Sequence, residues 1–399
     1  MEQHLDRIAE LAKNGTFGTG KFLQVIPNPD CSAGPQFASQ LGFLAVDLEE
    51  DSNIVRKSIV VKIQPKEQAE RDLQCSDNQF FVELTMYREV LPFLGALEMD
   101  VFPEFIYGEA SRGADPDNDI VIMADLSGQG YIISPDIYLD ADTFKLTLRR
   151  LGEFHGYSYR AKRSRPSETQ TLGQKLPHKR FQMDDSEDMS RPIWDRGFNA
   201  AKKQCDSSQL LDKVRAKMDT YRTDELWGVF RKPKEPFAAF IHGDFNRNNL
   251  LFKYVDDKAV NVKFLDFQAS IYSDPSVDLA FFLYMNSTQE TRDNHWEDFF
   301  KTYWEGVVSI EPKPGFSYDE FLKHFASRAL YGYLPCSFFL PMMLDTEKAV
   351  LAEFLTWTYE QKLHRMTTTA GEVGDKAIAD IVLDLLKRGF LEEFLENFP

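Results

Sequence analysis

The sequence predicts an α+β chain in two parts, a small antiparallel β-sheet region followed by a large, mainly helical one. Three observations carry that expectation. The apolar runs FLQVIP, QFASQLGFLAVDLEE and SIVVKIQP are short and alternating or continuous, as successive antiparallel strands are. From 287 to 399, apolar residues recur three and four apart, the period of amphipathic helices. Between these regions, from Ile241 to Tyr284, the apolar stretches FAAFI, LLF and VKFLDF enclose polar clusters, which places the polar residues at strand ends.

Length and composition bound the answer further. At 399 residues the chain holds two lobes or domains, and 43% hydrophobic residues, with 33 Phe, supply a sizeable core. A formal charge of −17 argues against nucleic acid, whose phosphates are bound by Lys/Arg surfaces, and equally against an anionic membrane surface. Cys31, Cys75, Cys205 and Cys336 lie far apart without a CxxC pair, which fits a reducing compartment rather than a disulfide framework or a zinc site. MEQHLDRIAELAKNG reads as a polar amphipathic helix, not a signal peptide. The apolar patch LPCSFFLPMML (334–344) is too short and too interrupted by proline to span a bilayer. A cytoplasmic location is expected.

Taken in order, residues 5–12 read as a short helix stopped by Asn14-Gly15. GTFGTGKF (15–22) has P-loop spacing, but Phe22 stands where Ser or Thr must touch Mg²⁺, and a strand rather than a helix follows; it reads as a turn into the first strand. Lys62 lies between apolar neighbours in VVKIQP, and a buried lone charge is costly, so it needs a partner. Glu83, beside Phe80, Leu84 and Tyr87 at helical spacing, is the expected one. IVIMADLSGQG reads as the last strand of the first lobe, giving lobes at 1–125 and 126–399. DADTFKLTLRRLGEFHGYSYR (140–160) is a helix with Leu146, Leu151 and Phe154 inward. Residues 161–235 read as a polar insertion with short helices near 192–222, a lid or acceptor-binding wall or a solvated surface segment. Pro335 and Pro341 are expected to kink or end one of the later helices.

The chemistry concentrates in IHGDFNRNNLLF and LDFQ. Asp244, Asn249 five residues later and Asp266 on the next hairpin offer hard oxygen ligands from adjacent loops, which suits Mg²⁺ bound with nucleotide phosphates. Asp244 would accept or orient a hydroxyl proton, while Asn249 and Asp266 would hold metal and Lys62 would neutralise phosphates. These residues, together with SDPSVDLAFF, resemble the aminoglycoside phosphotransferase and choline kinase group, and most closely its ecdysteroid kinase-like (CHK kinase-like) family.

The resemblance spans about residues 30–399 and implies a bilobal protein-kinase-like fold. It implies an ATP- and Mg²⁺-dependent kinase acting on the hydroxyl of a small apolar acceptor, such as an ecdysteroid, another hydroxylated steroid or a xenobiotic. Gly34, Phe37, Ala38 and Ser39 match the family's loop in the first hairpin, whose N–H groups would cover phosphates. Backbone groups of Met123 to Asp125 would meet adenine, although Ala124 stands where Glu is usual. Asp278 would bind the backbone of the loop carrying Asp244, and His242 and His155 would support that loop rather than move protons. Gly156 replaces a usual Ala, and Asn246 a frequent Trp. Only eleven residues separate Asp266 from Asp278, too few for a peptide-docking activation segment, and no A-P-E follows, so a protein kinase is disfavoured. A choline or ethanolamine kinase, or a silent kinase-like binding protein, are the alternatives.

Overall fold

The computed structural model describes residues 2–28, 40–177, 188–347 and 351–399. The chain forms two compact units, one chiefly of Met1–Ile133 with Leu250–Ala269, the other of Ser134–Lys175, Met183–Asn249 and Ser270–Pro399. The architecture is the α+β one expected, with an antiparallel sheet first and a mostly helical remainder.

In the first unit, the described residues form a five-stranded antiparallel sheet of β1 (Lys21–Pro27), β2 (Gln40–Glu50), β3 (Asn53–Ile63), β4 (Phe105–Glu109) and β5 (Ile120–Ala124), in the order β1-β2-β3-β5-β4. β2 and β3 pair from Gln40↔Ile63 to Glu50↔Asn53. Asp51 and Ser52 turn that hairpin at φ 49° and 62°, the left-handed pair that matches strand twist in two-residue turns. Alternation along the strands sends Leu44, Val46, Leu48, Ile59, Val61 and Ile63 to one face. Helix α1 (Glu2–Lys13) closes that face with Ile8 and Ala12, joined by Phe17. The expected stop at Asn14-Gly15 holds, with Gly15 at φ 82°. The P-loop-like stretch is indeed a turn: Lys21 opens β1 with its side chain 79% exposed.

Helices α2 (Gln68–Gln74) and α3 (Ser76–Thr85) follow β3, and α3 runs through a π-helical turn, Met86–Val90, into α4 (Leu91–Leu94). Pro92 has no N–H for the Arg88 carbonyl and its ring crowds that oxygen, so a widened turn falls there. A smaller sheet joins β6 (Tyr131–Ile132), β8 (Leu250–Val255) and β9 (Lys258–Phe264). Its hairpin turns at Asp256 and Asp257, again with positive φ (49° and 61°).

The second unit contains one two-stranded ladder, β7 (Ala239–Ile241) with β10 (Ile271–Ser273), among its described residues. Around it lie α5 (Ala141–Ser164), α6 (Pro166–Lys175), α7 (Ser190–Lys202), α8 (Ser208–Met218) and α9 (Thr223–Arg231). After the ladder come α10 (Ser276–Asn286), α11 (Gln289–Ile310), α12 (Tyr318–Arg328), α13 (Tyr333–Leu344), α14 (Leu351–Thr356), α15 (Tyr359–Thr368), α16 (Gly371–Lys387) and α17 (Phe390–Asn397). Asp140 caps α5, accepting from the N–H groups of Asp142 and Thr143, both at 3.0 Å. The described part of 161–235 is packed rather than loosely solvated: Trp194, Phe198, Leu211 and Val214 are buried.

The prolines do not set the late helix break. A 3₁₀ turn, Ala329–Gly332, separates α12 from α13. Pro335 sits in the first turn of α13, where its missing N–H has no partner to lose, and Pro341 is carried inside the helix. Packing sets the break: a Cβ at Gly332 would lie 2.4 Å from the Ala280 carbonyl oxygen, so only glycine lets the turn approach α10 this closely.

Candidate active site

The expected residues assemble in two groups, each within one unit. In the first unit, β3 delivers Lys62 to the face of the sheet opposite Val61 and Ile63, and α3 delivers Glu83, which is fully buried. The Lys62 ammonium donates to Glu83 Oε2 at 2.7 Å, to Asp266 Oδ1 at 2.7 Å and to Gln268 Oε1 at 2.9 Å. Burial alone would lower its pKa, but the Asp266 and Glu83 carboxylates outweigh that and hold it above the ordinary lysine value. The expected Lys62–Glu83 pair is therefore formed, and Asp266 joins it.

Asp266 follows β9 at φ 63°, a left-handed conformation uncommon outside glycine that persists only where neighbours over-determine it. The neighbour is aromatic. Phe267 is buried and meets Tyr87 edge-on at 5.8 Å and Phe102 at 5.6 Å, while Tyr87 stacks on Phe105 at 5.3 Å. Tyr87 comes from the π-helical turn one helical step beyond Glu83. Burial, and then the nearby Glu83 and Asp266 charges, push its hydroxyl pKa well up, so the phenol stays neutral.

In the second unit, β7 runs into the loop His242–Asn249. Asp278, fully buried on α10, accepts from the His242 N–H at 2.7 Å and the Gly243 N–H at 2.8 Å. His155 on α5 approaches the same carboxylate at 3.4 Å through Nε2, and its Nδ1 meets the Tyr303 hydroxyl at 2.9 Å. His155 thus reaches the loop by way of Asp278 rather than directly. His242 is fully buried with its ring edge-on to Phe245 and its Nδ1 3.4 Å from the Asp244 N–H, a supporting position.

The Asp244 carboxylate is oriented by two amides. Asn249 Nδ2 donates to its Oδ2 at 3.0 Å and to its backbone carbonyl at 2.8 Å. Asn246 Nδ2 reaches Oδ1 at 3.4 Å and the same carbonyl at 3.1 Å, and Asn246 Oδ1 accepts from the Asn248 N–H at 3.0 Å. Asn246 is a residue that spacing alone did not single out for a role; a short amide two places after a carboxylate was the available signal. Gln268 was likewise visible only as a letter of D-F-Q.

The remaining expected residues are placed differently. Ser39, with the rest of the 34–39 loop, lies outside the described residues. Met123 is buried on β5, paired with Val60 and Phe105. The N–H groups of Ala124 and Asp125 donate to the carbonyls of Glu104 and Ser58, each at 2.9 Å. The Asp125 carboxylate caps the following turn, accepting from the Ser127 N–H at 2.9 Å and hydroxyl at 2.6 Å.

No curated protein matches the chain by sequence. Among solved structures it is similar to the GDP and kanamycin complex of APH(2")-IIia, at 15% identity over 95% of this chain and 99% of that one, with a TM-score of 0.44. It is also similar to the GDP complex of wild-type aminoglycoside 2'-phosphotransferase-IIIa (15% identity, 99% and 100% of the two chains, TM-score 0.41). A third is the Plasmodium vivax ethanolamine kinase (11% identity, 88% and 81%, TM-score 0.37). The model of the ecdysteroid kinase-like family matches residues 33–311, well over half of the chain, and the chain therefore belongs to that family of small-molecule kinase-like proteins.

Proposed function

We propose that the protein transfers the γ-phosphoryl group of ATP to a hydroxyl of a small apolar molecule, an ecdysteroid or another hydroxylated steroid or xenobiotic. The observation that carries this reading is the buried Lys62 ammonium held by Glu83 and Asp266 in a chain of this family. A buried ion pair is weak evidence for stability, because desolvation cancels much of the attraction, so a cation kept there serves a ligand of opposite charge. Lys62 would neutralise ATP phosphates. Asp244 would align the acceptor hydroxyl: its oxygen bonds to the γ-phosphorus as the bond to the ADP oxygen breaks, and its proton passes to the Asp244 carboxylate.

The side chains fit a divalent cation. In the first unit Asp266 is 27% exposed, and among the described residues its Oδ2 enters no hydrogen bond, leaving one hard oxygen. In the second, the Asn249 Oδ1 enters none among the described residues. Mg²⁺ bound with the nucleotide phosphates would neutralise charge on the transferring phosphoryl group. A base bound along Met123–Asp125 would use backbone groups other than the two N–H groups already engaged.

The acceptor class rests on α13. Asn248, in the Asp244 loop, donates to the Met343 sulfur at 3.7 Å. Beside Met343 the helix carries Phe338, Met342 and the 41%-exposed Phe339. Its nearby carboxylate, Asp345, is paired with Arg365. Thioethers and rings suit a rigid apolar body, whereas a polycation would need free carboxylates.

The test is a mass-spectrometric screen for phosphoryl gain with MgATP and ecdysteroids, other hydroxylated apolar molecules, choline and aminoglycosides. A phosphorylated apolar product that disappears in Asp244→Asn is expected. Transfer to choline or an aminoglycoside alone would overturn the acceptor class. Absence of both product and nucleotide binding would overturn the enzyme.

A further inference from the structure

An ammonium has three N–H donors, and on Lys62 all three are taken, by Glu83, Asp266 and Gln268. Lys62 is 4% exposed, so water does not stand in for any of them. A phosphate oxygen can bond this ammonium only where one of the three partners withdraws. The partners are unequal. Glu83 is fully buried, and drawing it away would strand a carboxylate in the core. Asp266 is held at positive φ by the packing of Phe267 and carries half of the charge balance around Lys62. Gln268 is neutral and half-buried, on the short turn Phe267–Ala269, and its amide oxygen lacks the opposite charge that strengthens the bonds to Glu83 and Asp266.

We infer that Gln268 is a neutral placeholder: its amide oxygen occupies the third Lys62 donor and yields it to a phosphate oxygen when nucleotide binds. Neutrality is what the position requires. Lys62, Glu83 and Asp266 sum to one negative charge. An amide adds none, so its release strands no ion, whereas a carboxylate there would repel the phosphates and resist displacement. The withdrawn amide leaves by side-chain rotation, with the backbone of the turn unchanged. Gln268 is a positioning residue that sets how tightly Lys62 receives phosphate, and the inference rests on the reading of Lys62 as the phosphate-binding cation.

The experiment is calorimetric titration of the full chain with MgATP, without acceptor, for wild type, Gln268→Ala and Gln268→Glu, alongside Lys62→Met. Removing the competitor in Gln268→Ala should tighten MgATP about three- to tenfold and lower the melting temperature of the nucleotide-free protein. Gln268→Glu should weaken MgATP by at least about tenfold, since it adds a third carboxylate to the same ammonium. Unchanged or weaker binding in Gln268→Ala would overturn the inference and assign the amide a direct contact with nucleotide. A Gln268→Glu variant that binds like wild type would overturn it as well. If wild type binds MgATP no better than Lys62→Met, the phosphate-binding role of Lys62 itself fails, a separate result from either of these.

Discussion

At the scale of single residues, Asp244 and Asn246 separate chemistry from positioning. Asp244→Asn keeps the shape of the side chain and its amide-accepting oxygen but removes the proton acceptor. Phosphoryl transfer should fall by about a hundred- to ten-thousandfold while calorimetric MgATP affinity stays near the wild-type value. Asn246→Ala removes one of the two amides that orient the same carboxylate and the acceptor for the Asn248 N–H. It should lower kcat about ten- to a hundredfold with little change in the KM for ATP, because a misplaced base costs rate more than binding. The motif letters made Asp244, Asn249, Asp266, Lys62 and Glu83 legible in the sequence, since each is a residue type its chemistry requires. Asn246 and Gln268 were not legible in the same way. An amide has no role until the group it bonds is known, and those bonds are made by the fold.

At the scale of elements, two contacts carry predictions. Helices α5 and α11 approach so closely at Gly152 that a Cβ there would lie 2.1 Å from the Tyr303 carbonyl oxygen. Gly152→Ala must separate the helices and should destabilise the protein by about 1–3 kcal/mol, read as a lower denaturant midpoint at unchanged slope. His155 and Tyr303 bridge the same two helices, so the His155–Asp278 support would loosen with them. On the sheet, Asp47 of β2 stands opposite Arg56 of β3. The bidentate bonds from Arg56 (2.7 and 2.8 Å), and then that from Gln24, hold the Asp47 carboxyl at about 2, below the ordinary 3.8. A depressed folded pKa stabilises fully above the unfolded value and is lost as pH falls through the folded one. Asp47→Asn should therefore cost about 1–2 kcal/mol near neutral pH, reduced from the full shift because Arg56 is half exposed, and the gap from wild type should close between about pH 4 and pH 2. Strands β1 to β3 and helix α1 were legible because alternation and the Asn14-Gly15 stop are local. The break before α13 was not: proline marks what a helix disfavours, while the fit of Gly332 against Ala280 is a contact between residues far apart in sequence.

At the scale of the whole molecule, the acidic chain carries −17 formal charges, and the Lys62 cluster itself nets one negative charge. Nucleotide binding should accordingly depend on a divalent cation. MgATP should raise the melting temperature by several degrees, about 2.7 kcal/mol of stabilisation at a hundredfold excess over Kd, and chelation with EDTA should remove most of that rise. A rise that survives chelation would show that Lys62 and neighbouring N–H groups suffice without metal. Among the described residues no helix is long and apolar enough to cross a membrane, as expected of LPCSFFLPMML, which lies in α13.

Residue type, local period and motif spacing were enough to read the class of fold, the family and the charged residues from the chain. Which groups meet came from folding. It brought Gln268 to the third donor of Lys62, set Asp266 at a left-handed φ under an aromatic cluster, and tied His155 to the Asp244 loop through Asp278. It also turned much of the polar stretch 161–235 into packed helices around Trp194 and Phe198. The physical reason is common to all of these. Hydrogen bonds and close packing join residues tens to hundreds of positions apart, and their geometry is fixed only when both partners are buried together.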